Sequence, residues 1–471
     1  MVQQPTRYGG TNWLAESESA AGDRTHFRLT QERWHQMKIG VIGCGYLGAV
    51  HAACMSKVGH QVYGYEIDVA KAEGLNSART PFFEPGFDEM LSEQLGTGRL
   101  AFGSGPQPLA DCDAVFICVG TPQLKGQLAA DTRYVTAAFE TVADVVRSNA
   151  LIIGKSTVPV GTADGASQLL AERAPHLTVA WNPEFLREGK AVKDTLRPDR
   201  LVFGVENEGS EELLREIYAD PIADGCPVLV TDFPTAELVK VAANSFLATK
   251  ISFINAMSEV CEVVGADVTQ LADAIGYDAR IGRSFLGAGL GFGGGCLPKD
   301  IRAFMARAGE LGVDQALSFL REVDAINMRR RSRMVEMAHE QLGGTVIGQR
   351  IAVLGAAFKP DSDDIRDSPA LNVAAQLLLR GADVVVTDPQ AVENARRKWP
   401  DLTFADTPME ALQKADLILL LTEWDEYKQL DPQQVGAVVR HKQIIDGRNA
   451  LDPQSWRDAG FVYRALGRPR V

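Results

Sequence analysis

The 471-residue sequence has no CxxC pair, no long basic run and no clear cysteine–histidine pairing. Each lack removes a class of function. Seven cysteines, an odd number, lie mostly in apolar stretches. That pattern excludes a disulfide framework and a zinc site, and it suits a reducing compartment. No metal is expected. A formal charge of −13 without a basic cluster argues against nucleic acid or an anionic membrane as a partner. Local basic residues could still bind a small anion. No apolar run approaches the roughly 18 residues of a membrane span. No secretory leader is recognisable either, so a cytoplasmic setting is expected.

What the chain has is length and rhythm. It is too long for one ordinary domain, and two to four are expected. Residues 1–36 are polar and aperiodic and read as a mobile extension; Met37 could itself begin the chain. From "MKIGVIGCGYLG" onward short apolar runs alternate with helical patterns: "HQVYGYEID", "DCDAVFICVGTP", "ALIIGKST", "LTVAWNPEF", then "RLVFGV" and "CPVLVTD". Strands alternating with helices mean a parallel sheet covered on both faces. "TAELVKVAANSFLATKISFINAMSEVCEVVGA" follows, without Pro or Gly until Gly265 and apolar on nearly every face. This reads as a long helix buried on all sides, a spine between domains and a dimer core. After Gly343 the first pattern returns in "RIAVLGAAFKP", "ADVVVTDP" and "ADLILLLTEW". The expected fold is α/β: two Rossmann-like doubly wound parallel sheets joined by a long central helix and a helical middle domain. The expected boundaries are 37–232, 233–335 and 336–471.

"GCGYLG" places Gly43, Gly45 and Gly48 around Tyr46 and Leu47, after a strand and at a helix start. Such glycines let the backbone reach a pyrophosphate at the helix N-terminus. Glu66 ends the next strand, where a carboxylate holds ribose hydroxyls and repels an extra phosphate, so NAD is preferred over NADP. Asp68 competes and ranks second. Thr121 in "VGTP" and Thr157 in "KSTVPVG" end two strands, where ligands of such sheets bind; ordinary turn chemistry is the other reading. In "WNPEFLREGKA", Glu184 and Glu188 are four apart, one helical turn, and could share a proton or order a water. Judged alone, a solvated helix start, where acids favour the dipole, is the better reading. Lys240 and Asn244 share one face of the spine helix. They either face a polar cavity, which is favoured, or pair with each other and the backbone.

"GFGGGCLPKD" holds the distinctive cysteine. The other six read as small core residues. Cys296 follows a run of glycines that admit a ligand, and Lys299 and Asp300 come next. A thiolate needs positive charge nearby, which Lys240 could supply. An NAD site with a nucleophilic cysteine suggests a carbonyl captured as a thioester.

These motifs together, with "GAAFKPDSDDIRDSPAL" and "IIDGRN", resemble the UDP-glucose/GDP-mannose dehydrogenase family from about Met37 to the C-terminus. The resemblance implies an NAD-binding domain, a dimerising helical middle and a nucleotide-sugar domain. It also implies two oxidations of a sugar's primary alcohol to the carboxylate. By the matching motifs, Cys296 is the nucleophile that passes through a thiohemiacetal and a thioester. Lys240 and Asn244 stabilise the oxyanion, Asp300 orients the water, and Thr157 with Glu184 holds a catalytic water. Substrate contacts are implied for Glu184, Phe185, Leu186, Glu188, Phe292, Gly293, Lys359 and Arg448, with Arg366 near the same site. Arg280 in "YDARIG" is implied to reach a partner's active site in a homodimer. "LTEWDEY" and "GFGGGCLPKD" resemble most the UDP-glucose branch. The same chemistry on GDP-mannose or a UDP-N-acetylhexosamine is the alternative, and a non-catalytic nucleotide-sugar sensor is a second. Gly295 stands where the family often has Ser, and Glu66 where it often has Asp.

Overall fold

The structure, a computed structural model, describes residues 36–469. The expected extension over 1–36 lies, apart from Gln36, outside these residues. The apolar runs form two sheets. The first contains β1 (Lys38–Ile42), β2 (Gln61–Tyr65), β3 (Leu100–Gly103), β4 (Ala114–Ile117), β5 (Leu151–Gly154), β6 (Thr178–Trp181), β7 (Leu201–Val205) and β8 (Val228–Thr231). Their order is β3-β2-β1-β4-β5-β6-β7-β8. The order reverses between β1 and β4, which opens a crevice at the carboxyl ends of these strands. Ile39, Val41, Val115 and Ile152 are fully buried, as strands covered on both faces must be.

The expectation of a wholly parallel first sheet needs one correction. β7 runs antiparallel to β6, and β8 then runs parallel to β7. The link from Trp181 to Leu201 contains only an irregular stretch and one short helix (Ala191–Leu196), so β7 starts from the end where β6 stops.

The second sheet contains β9 (Arg350–Leu354), β10 (Asp383–Thr387), β11 (Thr403–Phe404), β12 (Leu417–Leu420), β13 (Gln443–Asp446) and β14 (Val462–Ala465). Its order is β11-β10-β9-β12-β13-β14, and every pair is parallel.

Between the sheets runs the spine helix, Phe233–Val264. At 32 residues it is about 48 Å long. Asp232 caps its start by accepting from the Thr235 amide at 2.7 Å, and Gly265 ends it at φ +77°. Burial on all sides does not hold within one chain. Leu238, Phe246, Phe253, Val260 and Val264 form an exposed apolar stripe. The buried side carries Lys240, Asn244, Ala248, Ser252, Asn255 and Ser258. These small and polar residues let a second helix approach closely: Ser252 Oγ donates to the Val323 carbonyl at 2.7 Å.

That second helix, the brace helix Phe319–Gln341, continues without a break past residue 335. Its Met334, Val335, Met337 and Ala338 join the core of the second sheet. Among the described residues no helix is long and apolar enough to cross a membrane.

Candidate active site

The turn after β1 is shaped by close approach. Gly43 has φ +87°, and a Cβ on Gly48 would lie 2.0 Å from the Gly43 carbonyl oxygen. The first helix, Tyr46–Lys57, therefore begins directly against the strand end, and no side chain caps it. Uncapped amides at a helix start suit a pyrophosphate. The Tyr46 hydroxyl turns the other way, to Glu84 and the Gly189 amide, and Leu47 packs half-buried on the core. Glu66 ends β2 nearly buried and pairs with Lys71 at 2.8 Å. Asp68 is instead the cap of the next helix, accepting from the Lys71 amide at 3.1 Å. This cradle, with a carboxylate at the end of β2, fits NAD.

Thr121 and Thr157 meet at the crevice: Thr121 Oγ1 donates to the Thr157 carbonyl at 2.7 Å. Both line one cavity with Lys299 and Asp300. Lys299 Nζ reaches Thr121 Oγ1 at 3.4 Å and Asp300 Oδ1 at 2.5 Å. The other Asp300 oxygen accepts from Asn244 Nδ2 at 2.6 Å. Lys240 and Asn244 are both buried on the spine helix and neither lines that cavity; Asn244 pairs with Asp300, and Lys240 stands over the Phe185 ring. Asp300 comes from the cleft helix, Leu297–Glu310, and Cys296 immediately precedes it.

Cys296 is exposed, alone among the seven cysteines, and all seven are free. The residue is exposed, yet protein crowds round the thiol itself. That desolvation pushes its pKa up, Asp300 adds to the rise, and Lys240 and Lys299 oppose it. Its place before a helix adds a favourable dipole for the thiolate. Pro298 stands in the first turn of that helix, where its missing amide costs nothing. The loop before Cys296 is pinned from the brace helix. The Phe292 amide donates to Asn327 Oδ1 at 2.8 Å, and Asn327 Nδ2 donates to the Phe292 carbonyl at 3.0 Å. Phe292 and Gly293 are both buried. A Cβ on Gly295 would lie 2.2 Å from Arg366 Cζ, so glycine here lets that guanidinium rest against the loop beside the cysteine.

Glu184 and Glu188 do not share a helical turn. Residues 182–187 form neither helix nor strand, and the chain turns at Glu188–Gly189. Carboxylates take the amides that a helix would use: Glu184 accepts from Phe185 and Leu186 at 2.7 and 2.8 Å, Asp194 from Arg187 at 2.9 Å, and Glu84 from Gly189 and Ala191 at 2.6 and 2.7 Å. Glu184 pairs with Lys155 at 3.0 Å. Leu186 packs half-buried on the first sheet's core. The Phe185 ring stands 5.4 Å from Lys240 Nζ. Glu188 turns to the other sheet: its carboxylate meets Ser362 Oγ and Arg366 Nη2, both at 3.2 Å, and its carbonyl accepts from Lys359. Burial and then Asp364 push the Glu188 carboxyl up to about 7, against Arg366 and Lys359. Burial lowers Lys359.

Arg448 ties two loops of the second sheet to the loop before Cys296 through carbonyls, donating to Leu421 at 2.7 Å, Phe358 at 3.3 Å and Gly291 at 3.0 Å. Arg280 joins none of these groups. It is exposed and pairs with Asp278 at 2.6 Å.

Comparison with known proteins follows the same outline. Residues 37–222 match the NAD binding domain of the UDP-glucose/GDP-mannose dehydrogenase family, 234–329 its central domain and 352–453 its UDP binding domain. The chain belongs to this family. As a member it is an NAD-dependent dehydrogenase whose UDP binding domain takes a nucleotide sugar. It is 40% identical over 438 residues to a UDP-glucose 6-dehydrogenase of Rhizobium meliloti, covering 92% of this chain and 100% of that protein. A UDP-glucose 6-dehydrogenase of Pseudomonas aeruginosa is 39% identical, covering 92% of this chain and 98% of that one. The solved UDP-glucose dehydrogenase of Pyrobaculum islandicum superposes with a TM-score of 0.85 at 38% identity, covering 93% of this chain and 100% of that one.

Proposed function

We propose that the chain oxidises UDP-glucose twice, to UDP-glucuronate, as its relatives' names indicate for them. The observation that carries this is Cys296: a reachable thiol at a helix start, beside Lys240 and the Asn244–Asp300 pair and behind a pinned glycine loop. A single alcohol oxidation needs no such sulfur. Gly43, Gly45, Gly48, Glu66 and Thr121 would hold NAD in the first sheet's crevice, where it would supply the hydride acceptor for each oxidation. Lys240 and Asn244 direct their donors at the oxygen that gains charge. The Cys296 sulfur adds to the aldehyde carbon to give a thiohemiacetal, whose second oxidation leaves a thioester. Water cleaves that ester, returning the thiol and releasing the acid. Asp300 orients this water and takes its proton, and Thr157 and Glu184 hold water nearby. Lys359, Arg448, Glu188 and the 184–186 and 292–293 segments meet the nucleotide sugar.

The same reading divides the chain into domains at 37–232, 233–335 and 336–471, the last limit falling inside the brace helix. A homodimer completes it. The exposed stripe on the spine helix repeats at about seven residues, the spacing of a helix seam, and Arg280 would then reach the partner's cleft. A cytoplasmic setting accords with the free cysteines.

The test is NADH formed per UDP-glucose consumed, with UDP-N-acetylglucosamine and GDP-mannose alongside. Two NADH per UDP-glucose, and a Cys296→Ser variant that forms no acid, are expected. Turnover of another nucleotide sugar alone would keep the chemistry and change the substrate. No NADH with any of them would overturn the enzyme reading.

A further inference from the structure

Beneath the 182–186 segment lies a charged group that the roles above leave unused. Lys155 follows β5 with its side chain only 4% exposed. Its ammonium meets three oxygens: Glu184 Oε2 at 3.0 Å, Asn182 Oδ1 at 3.0 Å and the Tyr218 hydroxyl at 3.2 Å. An ammonium has three donors, so each finds a partner. The partners are themselves tied down. The Tyr218 hydroxyl donates to Asn182 Oδ1 at 2.7 Å, and Asn182 Nδ2 donates to the Val202 carbonyl at 2.9 Å. The second Glu184 oxygen accepts the Phe185 and Leu186 amides. The carboxylate is thus clamped between a buried ammonium and the backbone of the loop that presents Phe185 to Lys240.

A buried ion pair is a poor way to gain stability, because desolvation offsets most of the attraction. It is a good way to fix a position. We propose that Lys155 is a positioning residue for the oxidation, clamping the Glu184 carboxylate in place and, through it, fixing the 184–186 loop beside Lys240. This rests on the roles given above to Glu184 and Lys240.

The surroundings leave this pair as the local charge. On the first helix, burial pushes His51 well below its ordinary value and the Cys54 thiol up. Burial also pushes Cys118, after β4, and Tyr218 each up to about 12. Asp194 is taken by Arg187 at 2.7 Å. Arg200 stacks on Phe185 at 3.8 Å, and Asp199 is exposed to solvent. Burial alone would lower Lys155, but the adjacent Glu184 outweighs it and holds the ammonium above its ordinary value.

The test uses the full chain with Lys155→Met, Tyr218→Phe and Glu184→Gln, measuring kcat and KM from pH 6 to 9. Lys155→Met should lower kcat at pH 7 by roughly 10- to 100-fold while changing KM for NAD less than about threefold. It should also raise KM for the nucleotide sugar at least about threefold, because Glu184 without its ammonium lets the 184–186 loop leave Lys240. Tyr218→Phe removes one partner and no charge, so it should move both constants the same way and less. It carries the test if Lys155→Met does not fold. A loss that falls on NAD as much as on the nucleotide sugar, or wild-type kinetics in both variants, overturns the proposal. The carboxyl-¹³C chemical shift of Glu184, assigned with Glu184→Gln, reads the same contact without substrate. An unmoved Glu184 signal in the variants overturns the positioning role even where the wild type turns over no UDP-glucose, the outcome that would sink the function instead.

Discussion

After β1 the chain turns at Gly43 and starts a helix at once, with no side chain over its first amides. After β9 it turns at Gly355, and the amides of Ala356 and Ala357 go to Asp388 Oδ2 at 2.7 and 2.9 Å, which also accepts from Trp424 Nε1 at 3.1 Å. The helix comes only at Pro369, capped by Ser368. The intervening residues 356–368 carry Lys359, Ser362 and Arg366 across to Glu188. The same strand order thus serves opposite ends. In the first sheet the turn is left open for an anion. In the second a resident carboxylate fills that place, and the loop reaches out to the cleft. Strand order brings the loops together, and loop chemistry decides what they hold.

The sharpest way to break this comparison is to alter both turns. Gly48→Val forces a side chain onto the Gly43 carbonyl and should weaken NAD binding by roughly 100-fold or more, as calorimetry would read. Asp388→Ala should leave NAD affinity within about twofold and lower unfolding stability by about 2–3 kcal/mol, since buried amides lose their acceptor. Equal effects on NAD from both would refute the distinction. Asn327→Ala comes next. It frees the Phe292 backbone, and kcat/KM for the nucleotide sugar should fall roughly 10- to 100-fold with NAD binding intact. Glu66→Ala should weaken NAD about tenfold and narrow its advantage over NADP.

The smallest effect concerns Glu237 on the spine helix, which accepts the Gly161 and Ala163 amides at 2.7 and 2.8 Å. Burial pushes this carboxyl up to about 7. An acid whose folded value is raised keeps its proton in the native state while the unfolded chain loses it. Stability therefore falls as pH rises from the ordinary carboxylate range toward 7. Glu237→Gln should flatten that fall, worth about 1–2 kcal/mol, in thermal unfolding followed from pH 5 to 8.

Much of the fold was legible because its strands are short, continuous apolar runs and because most of the spine helix runs on without Pro or Gly until Gly265. The antiparallel step at β7 was not, since periodicity carries no strand direction. The apolar surface of the spine helix was read as interior, yet composition cannot say whether the neighbour is the same chain. Of the cleft, the glycine loops and Cys296 stood out because glycine runs and a cysteine beside charge are rare in cores. Glu184 and Glu188 were read on helical spacing, which failed because nearby carboxylates take the backbone amides there. Lys155 and Asn327 carried no local signal. One sits inside a motif noticed for its threonine, the other inside an ordinary helical pattern. Their partners, Glu184 and Phe292, lie 29 and 35 residues away.

The brace helix has a mechanical meaning. One rigid rod holds Phe292 by Asn327 near its middle, grips Asp367 through Arg331 at 2.7 Å, and ends in the core of the second sheet. Any tilt of that sheet is therefore geared to the backbone in front of Cys296, as a lever fixed at one end carries its motion to the other.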